Sequence, residues 1–299
     1  MLLSLPFCKL RPGGNPTVLL HDDSLFAAPA AHRAAIARAV LDDSHLGADQ
    51  VGFLDDSRAL PHLEMMGGEL CINATLCAAV VFAMRGRLPL SREGRLPLLR
   101  EGRLTASGAG EALLATVTEH IPDAAYGVAL VLPLPGGAGT LVRDSGPGEC
   151  LVRLPGITHL LLDTAFFPLP EDPVAAAAAE REAHGLDRLE AAGVIWHSPC
   201  ADSLGADWSG TDRPGADRPG LRAIAPVVHV AATGSSVRET ACGSGSLALA
   251  LALWRREGEA SHSIRQPSGS DIQVDILGET ARVSAEVRIT AQGTTHIFL

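Results

Sequence analysis

The sequence predicts a protein of mixed α and β structure in which the second half repeats the plan of the first. Short apolar runs that are typical of strands alternate with turn residues along most of the chain. Two longer runs, 66–86 and 238–258, each begin with small or polar residues, continue as an apolar helix and end at a glycine. One such helix lies in each half, which indicates a pseudo-duplication.

The composition supports a well-buried core. Of the 299 residues, 46% are hydrophobic and 19% are charged, a balance that disordered chains do not have. Only 4% are aromatic, so the core must be aliphatic and the sequence offers no aromatic platform for stacking nucleic-acid bases. The length suits two modest domains or one large domain and fits an α/β or α+β architecture.

The charge and the apolar segments exclude several classes of partner. The net charge of −10 argues against binding to nucleic acids or to anionic membranes. The N-terminal segment lacks the basic start of a signal peptide, and Pro6 and Lys9 interrupt its apolar run. The later apolar stretches 126–135 and 244–254 are too short to span a bilayer. We therefore expect a soluble, cytoplasmic protein.

In the first half, two strands joined by a glycine turn are expected up to Asp22, followed by a helix over Ala31–Val40 and a strand over Val51–Leu54. The helix within 66–86 comes next. From 88 to 142 the pattern changes to short strands and turns, in which the string EGRL occurs at 93–96 and again at 101–104. Two copies are too few for a solenoid.

The second half follows the same plan. A strand pair is expected over 151–163, a helical region over 173–192, and strands over 192–197 and 222–232. Between these strands, residues 201–221 are rich in Asp, Gly and Pro and read as an exposed insertion. The helix within 238–258 follows.

Six cysteines lie at positions 8, 71, 77, 150, 200 and 242. The chain has no CxxC pair and no spacing of His and Cys that is typical of zinc ligands, so we expect free thiols and no metal. A buried free cysteine is by default a small apolar residue. We assign that default to Cys8, Cys77 and Cys150, and we interpret Cys200 as a structural or surface thiol.

The string CGSGS at 242–246 carries the sharper chemical signal. Glycines let the backbone approach a ligand closely, and the free N–H groups at a helix N-terminus attract an anion. We therefore expect Gly243 and Ser244 to contact a substrate, and we expect the positive helix end to lower the pKa of the Cys242 thiol. The alternative is a glycine-rich helix start that holds a buried cysteine.

The string LCINAT at 70–75 is weaker when taken alone, because Asn73 and Thr75 are good helix caps and Cys71 suits a core position. The argument rests on the pair of cysteines. Two thiols at two helix N-termini suit a reaction in which a thiolate removes an α-proton and a thiol protonates the opposite face. The N–H groups of the two helix ends would stabilise a substrate carboxylate between them.

Four segments in the same order resemble the diaminopimelate epimerase superfamily along nearly the whole chain. They are GGNPTVLLHD (13–22), MGGELCINAT (66–75), ETACGSGSLA (239–248) and RQPSG (265–269). The resemblance implies that Cys71 and Cys242 are the two catalytic acid-base residues. It also implies that Asn15 contacts the ligand, and that neither pyridoxal phosphate nor a metal is used as a cofactor.

The resemblance further implies an α+β fold of two pseudo-symmetric domains, each a β-sheet or barrel wrapped around a central helix, with the active site in the cleft between them. We expect the N-terminal domain to span residues 1–143 and the C-terminal domain to span 144–284. The last strand, predicted over 285–291, is expected to return the final segment, 285–299, to the N-terminal domain.

Departures from the family pattern bear on the substrate. Ile72 stands where the family usually has glycine beside the first cysteine. Diaminopimelate epimerases usually carry Glu-Arg before the second cysteine segment, where this chain has Ala232 and Thr233. The segment GITH keeps His159 but lacks the preceding asparagine. The strings GGELCINAT and GITH are the versions of these segments that are most similar to the histidine racemases that supply D-histidine for opine-type metallophores.

Several alternatives stay open. His159 either contacts the substrate or satisfies a strand-end hydrogen bond, and Glu239 either caps the helix, which we favour, or orients the site. The substrate contacts predicted beside the cysteines are Ile72 and Asn73 in the first half and Gly243 and Ser244 in the second. Other readings are a diaminopimelate epimerase, a racemase of another amino acid, and a catalytically silent amino-acid-binding protein. The sequence does not fix the oligomeric state, and a homodimer is the assembly that we consider.

Overall fold

The computed structural model describes residues 2–22, 24–27, 29–90, 99–199, 221–231 and 234–299. The chain divides into two compact units, of which unit 1 comprises Met1–Leu130 with Ala285–Leu299 and unit 2 comprises Val131–Ser284. Four sequence predictions lie outside the described residues. They concern the first EGRL copy, the Cys200 thiol, the insertion up to residue 220, and the pair Ala232 and Thr233.

Unit 1 is built on a ring of strands. The strands are β1 (Leu2–Pro12), β2 (Thr17–His21), β3 (Gln50–Asp55), β4 (His62–Met65), β5 (Leu99–Ala106), β6 (Leu113–Ile121), β7 (Ala125–Pro133) and the later part of β16 (Thr280–Phe298). They pair in this order, and β16 also pairs antiparallel with β1. The eight strands therefore close into a barrel.

Helix α3 (Ile72–Met84) is the central helix of unit 1, and strands β1 to β6 contact it. Every residue from Ile72 to Ala83 is buried, as expected of a helix that is apolar on all sides. The helix ends where the Arg85 N–H bonds to the Val81 carbonyl and Gly86 takes a φ of 71°. Glycine suits that left-handed conformation because it has no Cβ.

Two further helices of unit 1 lie outside the ring, α1 (Ser24–Ala27) and α2 (Ala30–Leu41). Helix α2 contacts β3 and buries Ile36, Ala37 and Val40 in an aliphatic cluster with strand residues such as Val51. The helix predicted over Ala31–Val40 is confirmed. No helix among the described residues combines the length and the apolar character that crossing a membrane requires.

Unit 2 repeats the arrangement with its own strands and central helix. The strands are β8 (Val142–Gly146), β9 (Glu149–Leu154), β10 (Ile157–Asp163), β11 (Ala191–Ser198), β12 (Leu221–Val230), β13 (Ser235–Arg238), β14 (Ser261–Arg265), β15 (Asp271–Ile276) and the start of β16. They pair in the order β16-β15-β14-β12-β11-β10-β9-β8, and β13 pairs with β12. A 3₁₀ turn, Ala138–Thr140, precedes β8.

Helix α5 (Gly243–Glu257) contacts strands β8 to β12, β14 and β15 and buries most of its residues. It ends at Gly258, whose φ of 77° and N–H bond to the Trp254 carbonyl form a left-handed cap. The other helix, α4 (Pro173–Ala183), begins at Asp172, whose carboxylate accepts the N–H groups of Val174 and Ala175. The predicted α+β fold, with strands around one central helix in each half, is confirmed.

Two predicted elements had the wrong extent. The helical region predicted over 173–192 ends at Ala183, because Gly185 takes a φ of 66° and Ala191 already begins β11. The last strand, predicted over 285–291, runs from Thr280 to Phe298. It is longer because its first residues pair with β15 and its later residues pair with β1 as far as Leu2.

Candidate active site

Cys71 is the N-cap residue of α3. Its backbone is extended, with φ −109° and ψ 104°, and its Sγ accepts the N–H of Ala74 at 3.4 Å. The Cys71 carbonyl accepts both the N–H of Thr75 at 2.9 Å and the Thr75 hydroxyl at 2.7 Å. The thiol is therefore held at the positive end of a helix, and Cys71 is only partly buried.

Gln50, the first residue of β3, is the hydrogen-bond partner of this thiol. The Cys71 S–H donates to Gln50 Oε1 at 3.3 Å, and the Thr17 hydroxyl lies 3.2 Å from the same oxygen. Our sequence analysis missed Gln50. It is 21 residues before Cys71 in the sequence, and the parallel pairing of β2 with β3 is what brings Thr17 opposite Gln50.

The other substrate contacts predicted in unit 1 are Asn15, which lies next to Thr17, and Ile72 and Asn73, which follow Cys71. Asn15 is fully buried at a φ of 28°, and its carbonyl lies 3.2 Å from the Thr17 hydroxyl. Ile72 and Asn73 are 1% and 2% exposed. The side chain that replaces the family's glycine is thus buried with the rest of α3.

Cys242 is the N-cap of α5 and has nearly the same backbone geometry, with φ −136° and ψ 103°. Its Sγ accepts the N–H of Gly245 at 3.2 Å, and its carbonyl accepts the Ser246 hydroxyl at 2.7 Å. Gln266 adds a further support, since its Oε1 accepts the Cys242 N–H at 2.8 Å and its Nε2 donates to Ser246 Oγ and to the Ile264 carbonyl, each at 2.9 Å.

Sequence analysis identified the RQPSG segment that contains Gln266 but assigned this residue no role. The structure shows that this fully buried amide locks the start of α5. The signal was the RQPSG string itself, because a glutamine that follows a strand directly and precedes a Pro-Ser-Gly turn is poorly placed to reach solvent.

Ser244 links Cys242 to His159. The Ser244 hydroxyl lies 3.6 Å from Cys242 Sγ and 3.0 Å from His159 Nε2. His159 is completely buried, and burial lowers its pKa to about 3, so the ring is neutral at physiological pH. Gly193 makes room for this ring, since a Cβ at that position would lie 2.2 Å from His159 Nδ1.

Glu239 is buried three residues before Cys242 and accepts a hydrogen bond from its thiol. Burial, followed by the charge and the hydrogen bond of Glu239, raises the pKa of Cys242 well above its usual value. The sequence-based expectation of a lowered pKa for Cys242 is therefore wrong. The helix N–H and Ser244 do lower the pKa, but they are outweighed. Cys242 is the N-cap residue of α5, and the Glu239 carboxylate lies beside its thiol.

The remaining described cysteines, Cys8, Cys77 and Cys150, are free thiols for which burial outweighs the neighbours that lower the pKa. Burial raises the pKa of Cys8 and of Cys150 to about 11, and it also raises the pKa of the fully buried Cys77. Within the described ranges no cluster of three or more His, Cys, Asp or Glu side chains has the arrangement of a metal site. The structure thus places one set of polar side chains around Cys71 in unit 1 and another set around Cys242 in unit 2.

Comparison with known proteins adds the family. The model of the histidine racemase CntK N-terminal domain matches residues 4–205. A histidine racemase of Fusobacterium nucleatum subsp. nucleatum is 25% identical over 302 residues, which cover 98% of this chain and 97% of that protein. A histidine racemase of Staphylococcus aureus is 36% identical over 77 residues, which cover 24% of this chain and 26% of that protein.

Solved structures share the fold along the whole chain. A phenazine biosynthesis protein of the PhzF family from Enterococcus faecalis superposes with a TM-score of 0.56 at 14% identity, covering 99% of this chain and all of that one. A hydroxyproline epimerase from Agrobacterium vitis has a TM-score of 0.56 at 13% identity, covering 98% and 93% of the two chains. The chain therefore shares the fold of these solved structures and belongs to the family whose model matches it, the histidine racemases.

Proposed function

We propose that this isomerase racemises histidine, and that it does so with the thiols of Cys71 and Cys242 and without a cofactor. The observation that carries the proposal is the matched placement of these two cysteines. Each is the N-cap of the central helix of its unit, and each Sγ accepts the N–H of the residue three positions later. A two-base reaction needs two such groups, one for each face of the α-carbon.

The reaction balances on the two sulfur atoms. One cysteine, as the thiolate, takes the α-proton, so that a C–H bond breaks and an S–H bond forms. The other cysteine, as the thiol, gives its proton to the opposite face of the carbanion and becomes the thiolate. The backbone N–H groups at the two helix starts stabilise the charge that the substrate carboxylate gains in the carbanion.

Other residues of the site hold the substrate and set the state of Cys242. We assign the substrate contacts to the residues that directly follow the two thiols, Ile72, Asn73, Gly243 and Ser244, and to Asn15, whose carbonyl lies beside the Thr17 hydroxyl. His159 holds the Ser244 hydroxyl beside Cys242 Sγ, and Glu239 holds the thiol proton.

The single lysine of the chain supports independence from pyridoxal phosphate. That cofactor binds enzymes as a Schiff base with a lysine amine. Lys9 is the one lysine in the sequence, and its Nζ donates to the carbonyls of Leu46 and Gly47 at 2.7 and 2.8 Å. Its amine is committed to the backbone of unit 1. We expect activity to survive hydroxylamine and a strong chelator, and loss on chelation alone would contradict this part of the proposal.

Histidine is the favoured substrate for two reasons. The curated relatives that match the whole chain are histidine racemases. In addition, the chain has Ala232 and Thr233 where a Glu-Arg pair would hold the charged far end of diaminopimelate. Without such a pair that zwitterionic group would be desolvated and unpaired, whereas a neutral imidazole needs only one or two hydrogen bonds. The product, D-histidine, would suit the assembly of opine-type metallophores.

The test is incubation of the protein with single L-amino acids in D₂O, followed by mass spectrometry and chiral chromatography. We expect L-histidine to gain deuterium at the α-carbon and to yield D-histidine, and L,L-diaminopimelate to stay unchanged. Rapid turnover of diaminopimelate with none of histidine would refute the substrate assignment. Failure of every amino acid to exchange, with histidine still bound, would instead indicate a silent binding protein.

A further inference from the structure

The two cysteines share a cap geometry but have different hydrogen-bond acceptors. The Cys71 thiol donates to an amide, Gln50 Oε1, at 3.3 Å. The Cys242 thiol donates to a carboxylate, that of Glu239. The side chains of glutamine and glutamate have the same length. They differ in charge, and only the amide can also donate a hydrogen bond.

A carboxylate accepts hydrogen bonds and carries a negative charge that opposes the formation of a thiolate beside it. An amide is neutral and has both an acceptor oxygen and a donor nitrogen of nearly the same shape. Half a turn of the Gln50 amide exchanges Oε1 for Nε2. The same side chain then donates to a thiolate at Cys71.

Thr17 is placed to follow such a turn. Its hydroxyl oxygen lies 3.2 Å from Gln50 Oε1 and 3.2 Å from the carbonyl of Asn15. The hydroxyl has one proton to donate and two lone pairs that can accept. It donates to Gln50 when Oε1 faces it, and it donates to the Asn15 carbonyl while accepting from Gln50 when Nε2 faces it. Both orientations of the amide therefore keep a hydrogen bond to the Thr17 hydroxyl.

We infer that Gln50 is a positioning residue that keeps a hydrogen bond to Cys71 in both of its protonation states, accepting from the thiol and donating to the thiolate. The inference deepens the proposed racemase function and rests on it. The substrate's α-proton ends on Cys71 Sγ, and Gln50 itself gains and loses no proton. Because its amide is neutral, Gln50 adds no negative charge beside Cys71 as that residue alternates between base and acid, whereas Glu239 places one beside Cys242.

The experiment measures the alkylation of Cys71 by iodoacetamide across pH in the absence of substrate, read by peptide mass spectrometry. In Gln50→Glu the pH of half-maximal reactivity should rise by about one unit or more, because a carboxylate replaces the amide. In Gln50→Leu it should rise less, since only the donor to the thiolate is lost. Cys77, the thiol that is electrostatically coupled to Cys71, is unchanged in both variants.

Two further variants complete the design. Gln273→Glu makes the same chemical change on β15, where the Gln273 amide donates to Ser263 Oγ, and should leave the Cys71 profile as it is. Glu239→Gln is the reciprocal change and should move the alkylation of Cys242 to lower pH. In racemisation assays, both Gln50 variants should lose at least about tenfold in kcat with a smaller change in KM.

The outcomes separate the inference from the function on which it rests. If the wild type racemises histidine, while Gln50→Glu and Gln50→Leu fold normally and match it in alkylation and in kcat, the role of Gln50 is overturned. If Cys71 reactivity follows the residue at position 50 but the wild type racemises no amino acid, Gln50 positions the thiol as inferred and the proposed function fails.

Discussion

The starts of helices α3 and α5 reach the same geometry from different sequences. The strings are CINAT at 71–75 and CGSGS at 242–246. In both, the cysteine carbonyl accepts a hydroxyl from the residue four positions later at 2.7 Å, through Thr75 in one and Ser246 in the other. The cap therefore depends on a cysteine followed by a hydroxyl residue at this spacing, and the glycines are not required for it.

The two starts differ in how firmly they are held. Cys242 is 2% exposed, and Gln266, Ser244 and Glu239 all bond to it or to its turn. Cys71 is more exposed, and its thiol donates to the neutral amide of Gln50. The comparison teaches that the Cys242 thiol is held in place and biased towards its protonated form. The Cys71 thiol has a neutral partner, Gln50, which can accept or donate a hydrogen bond.

The largest effect should come from removing either sulfur. Replacing Cys71 or Cys242 by Ala should reduce histidine racemisation on the order of 10³-fold, because one face of the α-carbon loses its proton carrier. Chiral chromatography measures the rate, and circular dichroism checks the fold. Cys150→Ala, which changes a thiol outside both turns, is the control. Full turnover by either single variant would show that the two turns are not a catalytic pair.

Gly193→Ala tests whether the α5 side is as tightly packed as its contacts indicate. The new Cβ would lie 2.2 Å from Nδ1 of the fully buried His159 ring. We expect a loss of about 1–3 kcal/mol in the free energy of unfolding, measured in urea, because neither group can move aside. In the control, Gly127→Ala, the Cβ meets the exposed His120 ring at 2.7 Å, and that ring is free to swing away. Equal losses in the two variants would contradict this reading.

The paired hydroxyl variants Ser246→Ala and Thr75→Val compare the two caps directly. Both remove a 2.7 Å bond to a cysteine carbonyl that keeps its backbone N–H partner. Ser246→Ala also leaves one Gln266 Nε2 proton buried without its acceptor, so it should cost about 1–3 kcal/mol, against about 1 kcal/mol for Thr75→Val. Urea unfolding measures both. A larger cost for Thr75→Val would reverse the ranking of the two starts.

The smallest effect concerns the residue whose N–H faces each sulfur. In Gly245→Ala the Cβ would lie 3.1 Å from Cys242 Sγ and 3.0 Å from Ile195 Cδ1, so the thiol must shift by a few tenths of an ångström. We expect kcat to fall by roughly threefold to tenfold. The reciprocal Ala74→Gly should lower stability by about 0.5–1 kcal/mol with a smaller change in kcat. A crystal structure of Gly245→Ala with an unmoved thiol would contradict the expected cause.

The sequence predicted the parts of this fold and site that depend on local strings. The spacing of apolar residues predicted the helices that the structure shows as α2, α3 and α5. The turns of small residues predicted that both cysteines lie at helix starts. The boundaries that failed, at Ala183 and along β16, depend on a positive φ at Gly185 and on pairing with strands that are far away in sequence.

The thiol partners could not be predicted for the same reason. Gln50 reaches Cys71 because β3 runs parallel to β2 in the barrel of unit 1, and nothing in the string around residue 50 indicates this. The pKa of Cys242 was misjudged because the helix end is a local feature, whereas the burial and the charge of Glu239 are tertiary features. The predicted substrate contacts remain predictions.

Strand β16 also has a consequence for the order in which the protein forms. The ring of unit 1 is closed by pairs such as Leu2 with Phe298, so its first strand waits for one of the last segments to be synthesised. At 5–20 residues per second, this wait lasts about 15 s or more. By then strands β8 to β15 have all been made. Helix α3 is therefore made early and remains without a complete ring of strands during most of the synthesis of the chain. The nascent chain is most prone to aggregation during that interval.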